Sequence, residues 1–276
     1  MKKNVWITED NGNLAISYRV KETIHEEQTD FQHLTVVDTY DFGRMLFLDG
    51  FVMTSIKDEF VYHEMITQPA VNTHQNPEKV LIIGGGDGGA VRELVKHPKV
   101  KQITLVEIDG RVIENSKKYL PEIAASYDDP KVTVLVDDGI KHIKENKNFY
   151  DIIIIDSTDP IGPAEGLFSG EFYRNVSEAL KEDGIMVAQT ESPFADDKLI
   201  KRIHQDLQGI YPLVKLYLAY IPTYPTGMWT FTMASKKYDP LKVKAEDIPE
   251  LQHRYYNKDI HFASFVLPNF VADIVK

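Results

Sequence analysis

The chain contains no cysteine, which excludes disulfides and thiolate metal sites. It also lacks any excess of basic charge: 31 Lys and Arg stand against 42 Asp and Glu, for a formal net charge of −11. That balance disfavours nucleic acid, whose binding requires neutralised phosphates, and suits a cationic small molecule. No apolar run approaches the ~20 residues needed to span a bilayer. The stretch from Met1 to Trp6 lacks the apolar core of a secretory signal. A cytoplasmic protein with no membrane or nucleic-acid partner is expected. The signatures of hydrolases are missing too. There is no Gly-x-Ser-x-Gly elbow, and His63-Glu64-Met65-Ile66-Thr67 breaks the His-Glu-x-x-His zinc pattern at its last position. The nine histidines are scattered, and no metal site emerges.

Two regimes follow one another along the 276 residues. Up to about residue 60 the chain is β-rich. Ala15–Val20, Gln32–Val37 and Arg44–Leu48 are short apolar or alternating runs separated by turn signals such as Asp49-Gly50. Glu59 to Val71 then reads as helical. From Lys79 onward, continuous apolar runs alternate with helical segments. The runs are Val80–Ile83, Ile103–Glu107, Val132–Val136, Ile152–Ile155 and Ile185–Gln189. Strands apolar on both faces imply a parallel sheet covered by helices on both sides. Val214–Tyr220 and Met228–Met233 read as two further strands forming an antiparallel end. The tail from Tyr255 to Phe270 is too aromatic to stay loose and is expected to pack on the body.

The first strand runs into Gly84-Gly85-Gly86-Asp87-Gly88-Gly89 and a helix. Such a turn lets a ligand approach the backbone at the mouth of an α/β sheet. The carboxylate of Asp87 would repel pyrophosphate, so the turn points to a nucleoside without phosphates, preferably one carrying positive charge. Three more acids fall at strand ends, where ligands bind in open α/β sheets. Glu107, about twenty residues beyond the glycines, is placed to accept both ribose hydroxyls. Asp138 can accept from an adenine amino group while Gly139 lets the backbone come close. Asp156 opens an irregular loop with two prolines and two glycines, of the kind that forms a substrate lid, and Asp159 in it is a second candidate for the pocket. Each has a plainer alternative: a solvated strand terminus for Glu107, an Asp-Gly turn for Asp138, a turn cap before Pro160 for Asp159.

A site rich in carboxylates and without a metal suits a diamine or polyamine. Its amine must lose a proton before it attacks, and a carboxylate in a low-dielectric pocket, helped by Tyr, can take it. A sulfonium cosubstrate leaves as a neutral thioether, so catalysis is chiefly alignment of nitrogen, carbon and sulfur.

With these residues in view, the chain resembles the spermidine synthases, which are polyamine aminopropyltransferases. The resemblance rests on Val80 to Gly89 with Arg92-Glu93, on Glu107-Ile108-Asp109, on Asp138-Gly139, on Asp156 to Glu165, and on Ile221 to Gly227. It implies an α/β fold in which a small N-terminal antiparallel β domain (1–60) precedes a Rossmann-like, methyltransferase-type domain with a mostly parallel sheet (61–276). It implies transfer of the aminopropyl group of decarboxylated S-adenosylmethionine to putrescine, giving spermidine and 5′-methylthioadenosine, with no metal or redox cofactor. It also implies a homodimer or homotetramer.

Carried over by position, Asp156 and Tyr62 are the catalytic pair. Gln32, Gly84, Gly85, Gly86, Asp87, Glu107, Asp138, Gly139 and Pro163 fall on the cosubstrate. His63, Asp87, Asp156, Ser157, Thr158, Asp159, Glu191 and Tyr224 fall on the polyamine. Tyr62 and Tyr224 have the alternative of being core aromatics, and His63 that of a structural histidine. Three rival functions remain: a putrescine N-methyltransferase using intact S-adenosylmethionine, a dinucleotide-dependent dehydrogenase, and a noncatalytic polyamine binder. Asp87 opposes the first two, and Asp156 with Tyr62 opposes the third. Choice among putrescine, cadaverine, agmatine and spermidine depends on pocket depth, which a sequence does not display.

Overall fold

The computed structural model describes residues 5–158 and 162–276, with the side chains of 162 and 163 left aside. Five strands open the chain: β1 (Val5–Asp10), β2 (Ala15–Gln28), β3 (His33–Thr39), β4 (Gly43–Leu48) and β5 (Phe51–Ser55). They pair in sequence order, each antiparallel to the next. Alternation gives this sheet two apolar faces. Leu34, Val36, Leu46 and Leu48 pack with Val112, Leu120 and Ile123 of the following domain. On the other face Tyr18, Val37, Met45, Phe47 and Val52 form a separate cluster.

Helix α1 (Glu59–Thr73) follows and is buried almost all round. It carries Pro69 in its interior, which removes one N–H and leaves the carbonyl four residues back without its helical donor. That carbonyl belongs to Met65, and the Tyr217 hydroxyl donates to it at 2.8 Å. The helix therefore keeps its line through a proline because a neighbouring strand supplies the missing donor.

The rest of the chain alternates as expected: β6 (Lys79–Gly84), α2 (Gly89–Val95), β7 (Gln102–Glu107), α3 (Gly110–Tyr119), β8 (Val132–Val136), α4 (Gly139–Glu145), β9 (Tyr150–Asp156), α5 (Gly170–Ala179), β10 (Leu180–Gln189), α6 (Asp197–Gln208), β11 (Leu213–Tyr220) and β12 (Met228–Ser235). The second sheet runs β11-β12-β10-β9-β6-β7-β8. β6 to β10 are mutually parallel, while β12 and β11 close one end antiparallel. Val80–Ile83 and Ile152–Ile155 are almost completely buried, which is why these strands read as unbroken apolar runs.

The chain leaves β6 toward β7 on one side and later returns through β9 on the other. A crevice opens at such a switch point beyond the carboxyl ends of the strands. The aromatic tail does pack on the body. The buried Glu64 carboxylate of α1 accepts the backbone N–H groups of Arg254, Tyr255 and Tyr256 at 2.7–2.8 Å. Two short helices, α7 (Lys258–Ala263) and α8 (Asn269–Ile274), follow. Among the described residues no helix is long and apolar enough to cross a membrane.

Candidate active site

A cavity of about 290 Å³ occupies the switch-point crevice, between the carboxyl ends of β6, β7 and β9 and the N-terminal sheet. Its floor is the glycine turn. Gly84 and Gly85 have φ of 81° and 68°, a region L side chains rarely adopt. Space imposes the same requirement: a Cβ on Gly84 would sit 2.2 Å from the Asp156 carbonyl oxygen, and one on Gly85 2.7 Å from Asp156 Oδ2. The turn thus lies directly against the end of β9 and brings Asp87 and Asp156 to one pocket.

Asp156 is held by α1. The Tyr62 hydroxyl donates to its Oδ1 at 2.7 Å, while Oδ2 is buried with no hydrogen-bond partner among the described residues. Burial and the nearby Asp87 carboxylate raise the acid to about 6, against the pull of His63 and Tyr62. Burial and the Asp156 charge together hold the Tyr62 phenol well above its usual range, so it stays a donor. Asp87 Oδ1 accepts the Gly89 N–H at 2.8 Å, and Oδ2 faces His63 Nε2 at 3.1 Å.

On the other flank, Glu107 ends β7 and accepts the N–H groups of Gly86 (3.2 Å) and Asp109 (2.9 Å). Burial dominates its titration and lifts it to about 7. Asp138 caps α4 by accepting the Ile140 N–H at 2.7 Å. Gly139 is required there, because a Cβ would meet Ile83 at 2.4 Å. Gln32 reaches in from the N-terminal sheet, its amide donating to Asp109 Oδ2 at 2.9 Å. Its carbonyl oxygen is thereby the end left for a ligand. Tyr224 lines the opposite wall beside Tyr62, their rings 5.7 Å apart, and donates to the Met53 carbonyl.

Of the residues expected at the site, Gln32, Tyr62, Gly84, Gly85, Gly86, Asp87, Glu107, Asp138, Gly139, Asp156, Ser157, Thr158 and Tyr224 line this one cavity. Asp159 and Pro163 lie outside the described residues and side chains. Two expected polyamine contacts stand off the wall. His63 lies behind Asp87, sealed between that acid and Glu59. Glu191 is buried beyond the end of β10, with φ of 68°, and accepts from the Gln189 amide at 2.9 Å. Gln189 in turn donates to the Ser157 carbonyl, so this pair props the start of the loop after β9.

Sequence reasoning missed the apolar walls. Phe31, Leu48 and Met53 come from the N-terminal sheet, and Ile108, Ile140 and Leu167 from the second domain. Ile108 alone carried a signal, as an apolar residue between Glu107 and Asp109 at a strand end. The cavity therefore joins a flat apolar slot, bordered by Glu107 and Asp138, to a polar end holding Asp87 and Asp156. It suits an apolar heterocycle on a ribose at one end and ammonium groups at the other.

Known proteins resemble this chain over nearly its whole length. Residues 5–55 match the family model of the spermidine synthase tetramerisation domain, and residues 59–245 that of the spermine/spermidine synthase domain. A polyamine aminopropyltransferase from Desulforudis audaxviator is 59% identical over 271 residues, 98% of each chain. One from Bacillus subtilis is 56% identical over 273 residues, 99% of each chain. Two solved structures are similar throughout. A spermidine synthase in complex with the transition-state analogue AdoDATO has a TM-score of 0.96 at 40% identity, covering 99% of this chain and 96% of that one. The spermidine synthase of Thermotoga maritima has a TM-score of 0.95 at 40% identity, covering 99% and 95%. With its two family domains in order and its acids gathered at the switch point, the chain belongs to the spermine/spermidine synthase family of polyamine aminopropyltransferases.

Proposed function

We propose that the protein transfers the aminopropyl group of decarboxylated S-adenosylmethionine to putrescine, forming spermidine and 5′-methylthioadenosine. The observation that carries this reading is the half-satisfied Asp156 carboxylate. Tyr62 occupies one oxygen, and the other is left beside the glycine turn. Glu107 and Asp138 take the ribose and adenine, with Gln32 at the nucleoside edge. Asp87 holds the ammonium of the aminopropyl arm. Ser157, Thr158 and Tyr224 border the diamine.

The step is a single displacement. The diamine nitrogen forms a bond to the aminopropyl carbon attached to sulfur. The carbon–sulfur bond breaks with its electron pair going to sulfur, which leaves as a neutral thioether. The proton of the attacking ammonium goes to Asp156. Tyr62 aims the carboxylate, and the apolar walls strengthen the charge interactions inside. Alignment of nitrogen, carbon and sulfur supplies the remainder. No metal or redox cofactor enters this scheme.

A homotetramer assembled through the N-terminal sheet belongs to the same proposal. It is supported by the match to a tetramerisation domain and by Val5 and Trp6, which are exposed on β1. Residence in the cytoplasm is proposed on the cysteine-free composition.

The deciding experiment supplies purified protein with decarboxylated S-adenosylmethionine and, in turn, putrescine, agmatine, cadaverine or spermidine, and quantifies 5′-methylthioadenosine. Fastest release with putrescine is the expected result. Faster release with another amine would keep the chemistry and change the substrate. No release, with methylation from intact S-adenosylmethionine instead, would overturn the reading.

A further inference from the structure

Behind Asp87 lies a buried cluster that the displacement itself does not use. His63 is closed on both ring nitrogens by carboxylates. Nδ1 is 2.6 Å from Glu59 Oε2, and Nε2 is 3.1 Å from Asp87 Oδ2. An ionised carboxylate only accepts, so a ring bridging two of them needs a proton on each nitrogen. Glu59 is fixed in its ionised form by Arg92, which donates to Oε1 at 2.9 Å and to Oε2 at 2.8 Å in a fork. The ring packs directly on the backbone at the start of α2, where a Cβ on Gly89 would lie 2.1 Å from His63 Nδ1.

We propose that Glu59 and Arg92 are positioning residues for aminopropyl transfer: the Arg92-clamped Glu59 carboxylate fixes His63 as a buried cation that keeps Asp87 an oriented, ionised acid beside Asp156. This inference rests on the assignment of Asp87 to the ammonium and Asp156 to the proton. Two carboxylates in one low-dielectric pocket tend to share a proton. If Asp87 took it, the aminopropyl ammonium would lose its partner. Of the two pocket acids only Asp87 is hydrogen-bonded to the His63 cation, which directs the proton to Asp156.

The groups facing the ring support a charge there. Glu59 lies on the same helix, Asp87 comes from the glycine turn, and the Asp156 carboxylate comes from β9. Tyr62 meets the ring edge-on, and Arg92 is screened by Glu59. Burial opposes the charge, but Asp87 and Glu59 overcome it and hold the imidazole well above its usual range. Glu59 shows the counterpart. Burial would raise it, yet His63 and Arg92 bring it down to about 2.

Two measurements test this. The first is nitrogen-15 NMR of the ring nitrogens of the ligand-free protein from pH 6 to pH 9, with His63→Gln to assign the signals. Both His63 nitrogens should remain protonated throughout, and a neutral ring titrating below pH 7.5 would overturn the proposal. It needs no turnover, so its outcome is separate from that of the product assay. The second is the pH profile of kcat/KM for decarboxylated S-adenosylmethionine in Glu59→Gln. Its acid limb should move up by about one pH unit as the acid pair retains a proton longer. A loss uniform across pH would mean a merely structural role and would also overturn it. If Glu59→Gln does not fold, the NMR result decides alone.

Discussion

The Tyr62 hydroxyl donates to Asp156 Oδ1 at 2.7 Å, and the second oxygen of that acid is buried without a partner among the described residues. An unsatisfied buried carboxylate oxygen is costly, and here it lies beside Gly85 at the cavity, where the proposed reaction brings a protonated amine. Replacing Asp156 with Asn keeps the shape and an acceptor for Tyr62 but removes the base. Turnover should fall by roughly 10²–10⁴-fold while 5′-methylthioadenosine still binds in a calorimeter. A near-normal rate would mean that another group takes the proton. Tyr62→Phe leaves the base in place and should cost less than Asp156→Asn, through lost orientation.

Asp87 carries the prediction about cosubstrate choice. Intact S-adenosylmethionine adds a carboxylate beside the ammonium, and Asp87 opposes it. Asp87→Asn should therefore weaken binding of the decarboxylated cosubstrate more than that of the intact one. Titration of both ligands into both proteins reads the difference directly, and equal losses would remove Asp87 as the discriminating charge.

Glu107 carries the prediction about the pH dependence of nucleoside binding. Its value in the folded protein, about 7, is above the ordinary carboxylate value because burial disfavours the charge. A raised acid binds more protons when folded than when unfolded. Its contribution to stability is therefore fully present below the unfolded value and is lost as pH rises through about 7. A ribose held by the ionised form reverses this preference. Binding of 5′-methylthioadenosine near pH 6.5 should release protons, and calorimetry in buffers of different ionisation heat measures how many. The release should shrink toward pH 8.5 and in Glu107→Gln.

Much of this was legible in the sequence because strand ends and glycines are local signals. Gly84 to Gly89, Glu107, Asp138 and Asp156 each follow an apolar run, and parallel strands bring such ends together. What was not legible required packing. His63 follows Tyr62 directly, yet the side chain of Tyr62 meets the cavity while His63 lies behind Asp87. That distinction depends on how α1 rolls against α2. Glu59 and His63 are one helical turn apart, an ordinary spacing, and gain meaning only when Arg92 arrives from another element. The walls formed by Phe31, Leu48 and Met53 depend on the N-terminal sheet lying over the strand ends. The helix through Pro69 was legible, but not the Tyr217 hydroxyl that supplies the donor its ring removes.

The junction between the two domains gives a last test. Asp109 stands at its centre. Oδ1 accepts the Arg111 N–H at the start of α3, and Oδ2 accepts from Thr29 at 2.8 Å and from the Gln32 amide at 2.9 Å. It is itself buried, and its own N–H is taken by Glu107. One acid thus fixes the helix cap, the Glu107 carboxylate and the Gln32 carbonyl in a common frame. Asp109→Asn can still cap the helix, but it replaces one acceptor oxygen with a donor. Either Gln32 must then turn over or a donor must face a donor. Nucleoside affinity should drop, because the Gln32 carbonyl is no longer held in place, and the lost charge-assisted hydrogen bond should itself lower stability by about 1.5–3 kcal/mol. Asp109→Ala removes the cap as well and should cost a further ~1 kcal/mol of stability. Paired thermal melts and 5′-methylthioadenosine titrations separate the two effects, and unchanged affinity in Asp109→Asn would show that Gln32 does not depend on this acid.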